Sequence, residues 1–324
     1  MNFFLKLRHF IADNQIVLVL LAMVAAILWP RVFKPLSPYT TPFLMAIFFT
    51  SSLRLGLDEL LGYARDWKML ALSNFVMLIF MPLAMWLPTW AFARDWALPF
   101  LIVGAMPTGL TIALIADLFG GKQSLAMLVS ATTSLLAPFT IPLVFWLVVG
   151  QSISIPIWNM FASLMLTIVL PFVVAMFIKS KAKKFVTRFD LAWREISLLL
   201  FALLVAGIVA DTVESAPLTL GWNEVGVVMV MIIFMGGIAW LAYAMTAWRT
   251  PAERITIALC MVYMNNTLAL YIGDRYFAAQ HVVPKLLVIL TAVNALLPPI
   301  KWYASRVLKK QKLMQQRQFA HLVT

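Results

Sequence analysis

The segment Gly104–Asp117 reads GAMPTGLTIALIAD, and a related segment, Cys260–Asp274, reads CMVYMNNTLALYIGD. Each lies within an apolar stretch long enough to cross a bilayer. Each is interrupted near its middle, by PTG at 107–109 in the first and by NNT at 265–267 in the second. Irregular backbone is tolerated at membrane depth only where it is buried in protein or lines a cavity. Two interruptions at corresponding places in two halves of a chain indicate a transporter's binding site.

The composition is that of a membrane protein. The chain has 324 residues, of which 63% are hydrophobic and 12% charged, whereas soluble domains contain about 45–50% apolar and about 25% charged residues. With about 20 apolar residues for each crossing, the sequence predicts an all-α polytopic protein with ten transmembrane helices. The predicted spans are 15–30, 39–57, 68–91, 97–119, 123–149, 155–178, 194–213, 223–247, 253–273 and 283–305.

The distribution of Lys and Arg predicts the topology. The net charge of +12 is compatible with nucleic-acid binding, but the charges are separated by membrane side. Of the 25 Lys and Arg residues, all but five fall on one side of the ten-span arrangement. Short cytoplasmic loops are enriched in these residues, so we expect a multi-pass protein of the cell (inner) membrane with both termini in the cytoplasm. The basic run Lys179–Lys184 is then a topology signal, and no nucleic-acid partner is expected.

An internal repeat divides the chain into two halves. Met77–Leu87 (MLIFMPLAMWL) resembles Met231–Leu241 (MIIFMGGIAWL), and SLLAP at 134–138 resembles ALLPP at 295–299. Together with the two interrupted segments, these matches occur in the same order and at nearly constant spacing. Because each repeat has an odd number of spans, the second must enter the membrane from the opposite side. We predict five-helix repeats at 1–153 and 154–308, followed by a cytoplasmic tail at 309–324.

Ionisable groups are predicted to be absent from the middle of the membrane. The thirteen Asp and Glu residues lie in loops or near predicted span ends, and the three His residues are terminal or in a loop. A proton relay, a metal site or an intramembrane enzyme would need such groups at depth. The single cysteine, Cys260, cannot form a thiolate metal site. We therefore expect neither an enzyme nor a resident cofactor or metal.

The polar residues predicted at depth are neutral. Two adjacent amides, Asn265 and Asn266, cannot both be satisfied within one helix. If the backbone unwinds there, half-helix N-termini present N–H groups and a partial positive charge to the membrane centre. Such a site suits a carboxylate or a polar neutral solute. The predicted substrate-binding residues are Thr108, Thr111, Asn265, Asn266, Thr267, Ser130 and Asn294.

Several motifs in and around these segments resemble the bile acid:sodium symporter family, part of a superfamily that also contains arsenite exporters and auxin-efflux carriers. The motifs are Leu44–Phe49, Phe80–Pro82, Pro107–Gly109, Ser134–Pro138 and Asn265 with Leu268-Ala269. The resemblance implies ten spans in an inverted repeat. It also implies that broken spans 4 and 9 cross within a core of spans 3–5 and 8–10, beside a panel of spans 1, 2, 6 and 7.

The sequence departs from this family at its sodium ligands. By the resemblance, the ligand positions fall on Met77, Ile112, Ala113, Ala126, Ser130, Cys260 and Met264. A hard cation needs several oxygen ligands, and among these side chains only Ser130 supplies one. Ser130 and Asn265 are the candidate ion-binding residues, and sodium coupling would depend mainly on backbone carbonyls. Sodium coupling, proton coupling and uniport therefore stay open.

The sequence thus predicts a secondary transporter that moves a small organic solute, which we expect to be an anion, by alternating access. Its expected partners are the substrate and the lipid bilayer. Two alternatives are open: a non-transporting receptor or scaffold on a transporter fold, and an exporter of the arsenite or auxin type. The Asn-Asn pair is closer to the arsenite exporters, whose fourth-span cysteine has no equivalent in this chain. The oligomeric state is not predicted.

Overall fold

The computed structural model describes residues 15–55, 66–150, 153, 155–215 and 221–309. The predictions for the extreme N-terminus, for most of the tail (310–324) and for the repeat boundary at 151–154 lie wholly or partly outside these residues. The helices are α1 (Gln15–Leu28), α2 (Thr40–Leu53), α3 (Trp67–Phe92), α4 (Arg94–Gly104), α5 (Ile112–Leu118), α6 (Gln123–Val149), α7 (Ile157–Lys181), α8 (Asp190–Ser215), α9 (Trp222–Met245), α10 (Pro251–Val262), α11 (Asn266–Tyr276) and α12 (Val283–Ala295), which continues after a turn into 297–309. Short helical turns occupy Pro30–Phe33, Lys34–Tyr39, Lys183–Arg188 and Ala278–Gln280.

Six of these helices are long and apolar enough to cross a membrane: α3, α6, α7, α8, α9 and α12. A seventh crossing results if Leu20–Leu28 and Pro30–Leu53, which meet at a bend of 111°, count as one span. The sequence predicted ten spans. The difference arises because α1 and α2 have 14 residues each, and α4, α5, α10 and α11 have 11, 7, 12 and 11 residues. Each is shorter than the ~20 residues of a full crossing.

Two long helices contain a π-helical turn directly before a proline. In α3 the turn spans Val76–Phe80 and Pro82 follows it, and in α7 it spans Met165–Val169 and Pro171 follows it. Proline has no N–H to donate, and its ring clashes with the carbonyl four residues earlier. The wider π turn accommodates this clash, so both helices continue past the proline.

The helices pack as two groups. The first, here called the panel, consists of α1, α2, α7 and α8, in which α8 packs on α1 and α2, and α7 packs on α2. The second, here called the bundle, consists of α3–α6 and α9–α12, with contacts of α3 on α4, α9 on α10 and α12, and α6 on α5 and α10. Within the panel, Lys179 of α7 is buried and donates to Leu53 O at 2.8 Å and to Leu55 O. This cation caps the carbonyl end of α2.

A phenol group joins the bundle to the panel. Tyr271 of α11 is fully buried. Its hydroxyl accepts from Thr41 Oγ1 in α2 at 3.3 Å and lies 3.2 Å from Ser163 Oγ in α7. Thr41 and Ser163 are near the first residues of their helices, so this contact lies at one end of the seam between panel and bundle.

Candidate functional site

The two helix breaks meet each other inside the bundle. The first break lies between the end of α4 at Gly104 and the start of α5 at Ile112, and the second between Val262 of α10 and Asn266 of α11. The two pair as an isolated antiparallel bridge between Thr108 and Met264. Gly109 N donates to Tyr263 O at 2.8 Å, and Asn265 N donates to Pro107 O at 2.8 Å. Backbone groups released by one break are therefore satisfied by the other, as a buried site requires.

Close approach of the two breaks depends on Gly109. A Cβ atom at this position would lie 2.7 Å from two ring carbons of Tyr263 and 3.1 Å from Met264 O. The nearest of these distances is shorter than any real contact of a Cβ atom, so a side chain would push the breaks apart. Pro107 contributes as well, because the residue before a proline is disfavoured in the helical conformation.

Hydroxyl groups stabilise the first break. Thr108 N donates to Thr133 Oγ1 at 3.3 Å, and Thr108 Oγ1 donates to Cys260 O at 3.3 Å. Ser130 Oγ lies 3.3 Å from both Thr108 O and Gly109 O and donates to them. Thr108, Ser130 and Thr133 are all buried. Side chains of α6 thus replace the helical partners that this stretch of backbone has lost.

The second break is capped by its own residue. Asn265 Oδ1 accepts from Leu268 N at 3.0 Å, the geometry of a helix N-cap. This bond identifies Oδ1 as the acceptor and leaves Nδ2 as the remaining donor. Asn265 Nδ2 and Asn266 Oδ1 are buried and have no hydrogen-bond partner among the described residues. The two residues are only 2% and 8% exposed. Buried polar groups are normally paired, so an unsatisfied donor and acceptor side by side are typical of a ligand site.

A small cavity lies against these amides. This break cavity has a volume of about 50 Å³, enough for more than one water molecule. Its polar lining comes mainly from both breaks, and residues of α1, α2, α8 and α12 complete it. The lining residues used below are Leu110, Thr111, Tyr263, Asn265, Asn266, Thr267, Ser197, Leu198 and Asn294.

A larger cavity opens between the bundle and the panel. This seam cavity has a volume of about 230 Å³ and is bordered by α5 and α6 on one side and by α2, α7 and α8 on the other. It shares four lining residues with the break cavity: Leu110, Thr111, Ser197 and Leu198. A wall only a few side chains thick therefore separates the two spaces.

The structure brings most of the predicted site residues together. Thr111, Asn265, Asn266, Thr267 and Asn294 line the break cavity. Thr111 also lines the seam cavity, as does Ser130. Thr108 lines neither cavity, because its hydroxyl and its N–H both bond to protein groups within the crossing.

Sequence reasoning missed several polar lining residues, of which Tyr263, Ser197, Arg54 and Arg194 are examples. Tyr263 precedes the second break, and its hydroxyl lies 3.0 Å from Thr111 Oγ1. Ser197 lines both cavities, and Arg54 and Arg194 line the seam cavity. A tyrosine next to the Asn-Asn pair was a usable signal for Tyr263. The two arginines were interpreted only as topology signals, since their position near span ends fits the positive-inside rule.

The positions that the resemblance assigns to sodium ligands are mostly apolar and buried. Met77, Ile112, Ala126, Cys260 and Met264 all belong to one hydrophobic cluster. Ala113 lines the seam cavity, and Ser130 bonds to the backbone of the first break. Within the described parts of the chain, no group of three or more His, Cys, Asp or Glu side chains is placed to hold a metal ion.

Comparison with known proteins identifies the family. Residues 41–216 match the model of the sodium bile acid symporter family. The chain is 28% identical to sodium/bile acid cotransporter 7-B of Xenopus laevis, with 92% of this chain and 94% of the relative aligned. It is 28% identical to sodium/bile acid cotransporter 7 of Xenopus tropicalis, over 93% and 95% of the two chains. It is 22% identical to an uncharacterised sodium-dependent transporter of Bacillus subtilis, over 88% of each. The chain is helical, it has two helix breaks that pair with each other, and the family model matches more than half of its length. It therefore belongs to the sodium bile acid symporter family, a family of membrane transporters.

Proposed function

We propose that this protein is a secondary transporter that moves a small organic anion across the cell membrane by alternating access. Membership of a transporter family supports transport, and the relatives named above are cotransporters or transporters. The cavities support a small solute, because about 50 and 230 Å³ fall below the ~300–1,000 Å³ of pockets for drug-sized ligands. Expected partners are this solute and the bilayer.

The proposed architecture has ten spans in two inverted five-helix repeats. In it, α4 with α5 and α10 with α11 each form one broken span, and α1 and α2 are separate short spans. The distribution of Lys and Arg places both termini in the cytoplasm. In this arrangement the seam cavity opens toward the cytoplasm, since Arg54, Gln123 and Asp190 lie at helix ends assigned to that side.

The proposed substrate site is the break cavity. The observation that carries it is the pair of buried amide atoms, Asn265 Nδ2 and Asn266 Oδ1, at the point where the two breaks meet. The first residues of α11 line the same space, so the positive end of this helix dipole faces the solute and favours an anion. Thr111, Thr267 and Asn294 supply further polar contacts. Ser130 contributes from the seam side, and Thr108 acts by stabilising the crossing.

The same residues bear on which ion, if any, is coupled to transport. The relatives' names suggest Na⁺, but the buried apolar side chains at the family's ligand positions offer no oxygen. We infer that any Na⁺ site would use backbone carbonyls with Ser130 and Asn265. If sodium does not bind there, the two other mechanisms are coupling to protons and uncoupled transport (uniport).

A thermal-shift screen of the purified protein against small organic anions, with and without sodium, tests this function. A ligand that binds the folded state raises the melting temperature once its concentration exceeds its dissociation constant. We expect a stabilising anion for the wild type and none for the double variant Asn265→Leu/Asn266→Leu. Asn159→Leu is the matched control, because Asn159 is exposed and lies outside both cavities.

The outcomes separate the alternatives. Binding together with flux in proteoliposomes supports a transporter, whereas binding without flux supports a receptor or scaffold. A shift that requires sodium would support a Na⁺ site built from backbone carbonyls with Ser130 and Asn265, whereas a shift independent of sodium would favour proton coupling or uniport. Equal stabilisation of wild type and double variant would place the solute elsewhere.

A further inference from the structure

The two asparagines of the second break need opposite kinds of hydrogen-bond partner. Asn265 Oδ1 accepts from Leu268 N at 3.0 Å, so the amide nitrogen of Asn265 is the atom left to donate. This Nδ2 atom is buried and has no hydrogen-bond partner among the described residues. The same holds for Asn266 Oδ1, which can only accept. A ligand that satisfies both atoms therefore carries an acceptor and a donor close together.

A further amide adds to the demand for a donor. Asn294 of α12 lines the same break cavity, and its Nδ2 donates to Leu290 O at 2.9 Å within its own helix. The carbonyl oxygen of this amide, Oδ1, is thus the atom that Asn294 can offer to a solute. Asn266 and Asn294 together bring acceptors to the cavity from two different helices.

Donors for the acceptor end of such a solute lie in the same cavity. One is Asn265 Nδ2. Another is the hydroxyl pair of Thr111 and Tyr263, whose oxygens lie 3.0 Å apart. One of the two protons of this pair forms the bond between the oxygens, and the other remains to donate to the cavity, which both residues line. A carboxylate accepts at both of its oxygens, so these donors suit it, as does the positive end of the α11 dipole.

A carboxylate alone would leave the acceptors of Asn266 and Asn294 unpaired. An ionised carboxylate has no proton to donate, and a buried acceptor without a donor is unfavourable. A hydroxyl group supplies the missing proton, and its burial costs far less than burial of a second charged group. The break cavity, at about 50 Å³, holds about four water-sized groups. This size matches a carboxylate together with the carbon and the hydroxyl next to it.

We infer that the solute is a small hydroxycarboxylate, and that Asn266, with Asn294, selects for its hydroxyl group. The carboxylate accepts from Asn265 Nδ2 and from the hydroxyl pair, while the hydroxyl of the solute donates to Asn266 Oδ1. The inference rests on the proposed function and narrows its substrate class, from organic anions to those with a hydroxyl beside the carboxylate. Any larger remainder of the solute extends toward the wall that the break cavity shares with the seam cavity.

Pairs of carboxylates that differ by one hydroxyl group test the inference. The smallest pair is 2-hydroxypropanoate and propanoate, and 2-hydroxy-3-methylbutanoate and 3-methylbutanoate form a larger one. Thermal-shift titrations of the purified protein give the dissociation constant of each acid. We expect the hydroxy acid of a pair to bind about tenfold more tightly, because it satisfies an acceptor that the other acid leaves unpaired. 2-Aminopropanoate, whose donor is charged, should bind more weakly than 2-hydroxypropanoate.

Substitutions of the asparagines separate the two parts of the contact. Asn266→Ala should weaken binding of the hydroxy acid alone and bring the ratio of dissociation constants within a pair close to one. Asn294→Ala removes the other acceptor and should lower the ratio as well. Asn265→Ala should weaken both acids of a pair and leave their ratio unchanged, because it removes a donor to the carboxylate that both share.

Asn159→Ala is the matched control. Asn159 is exposed and lines neither cavity, so both dissociation constants should equal those of the wild type. Melting temperatures without ligand confirm that every variant is folded. A changed ratio in a folded variant then reports the contact with the hydroxyl group.

Two results would overturn the inference. One is equal binding of both acids of a pair to the wild type, and the other is a preference for the hydroxy acid that persists in both Asn266→Ala and Asn294→Ala. Either result leaves the proposed function intact if binding still depends on Asn265. Tighter binding of 2-aminopropanoate than of 2-hydroxypropanoate would also contradict the inference, since it would assign the site to amino acids. If no carboxylate stabilises the protein, the proposed substrate site itself is wrong and the inference fails with it.

Discussion

The two helix breaks are stabilised in different ways. The first, between α4 and α5, is seven residues long and depends on hydroxyl groups of α6 and on the absence of a side chain at Gly109. The second, between α10 and α11, is three residues long and is capped by its own Asn265. The first break is thus stabilised mainly by side chains of another helix, whereas the second is stabilised largely by its own cap. The unsatisfied amides are found only at the second among the residues of the two breaks.

This difference separates structural from binding roles. Changes at the first break should lower stability, because other helices are fitted to it. Changes at the second should affect stability mainly through the cap and should affect ligand binding through the free amide atoms.

Gly109→Ala should have the largest effect. The new methyl group would overlap the Tyr263 ring and press on Met264 O, and overpacking of this kind typically costs about 1–3 kcal/mol and occasionally more. We expect a clear loss of melting temperature and of monodisperse protein. Gly237→Ala in α9 is the control, since a Cβ there meets no atom within 4 Å. Similar losses in both variants would show that the crossing is not tightly packed.

Thr133→Val should have the next largest effect. Valine keeps the shape of the side chain but removes the acceptor for the buried Thr108 N–H. An unsatisfied buried donor costs roughly 1–3 kcal/mol. Thr140→Val on the same helix is the control, because Thr140 Oγ1 bonds to Leu136 O in its own helix. Chemical denaturation in detergent measures the stability of both variants. If the two are equally stable, Thr133 does not stabilise the first break.

The single variants Asn265→Ala and Asn266→Ala should differ in stability but agree in binding. Asn265→Ala removes the N-cap of α11 and should cost about 1 kcal/mol. Asn266→Ala removes an acceptor that has no partner among the described residues, so no hydrogen bond is lost and the effect on stability should be smaller than that of Asn265→Ala. Both should weaken stabilisation by the anion found in the screen. A ligand that binds the two variants as tightly as wild type would exclude the amides from the site.

The sequence predicted the breaks better than their surroundings. A continuous helix is locally unfavourable at Pro107, at Gly109 and at the Asn-Asn pair, so both interruptions could be predicted from the sequence. The roles of Thr108 and Thr111 could not be distinguished, because they depend on which neighbour each hydroxyl faces. Arg54 and Arg194 meet in one cavity only because α2 and α8 pack with a particular rotation. Such rotation is set by tertiary contacts that the hydrophobic pattern does not specify.

The Tyr271 hydroxyl gives an estimate of how firmly one arrangement of the two helix groups is held. Movement of α11 away from α2 and α7 would break its contacts with Thr41 and Ser163. A neutral hydrogen bond contributes about 0.5–1.5 kcal/mol net. Two of them, about 1–3 kcal/mol together, change the ratio of conformers by roughly five- to 150-fold. A ligand that binds the alternative arrangement about 1–3 kcal/mol more tightly than this one would offset the contribution of these two contacts.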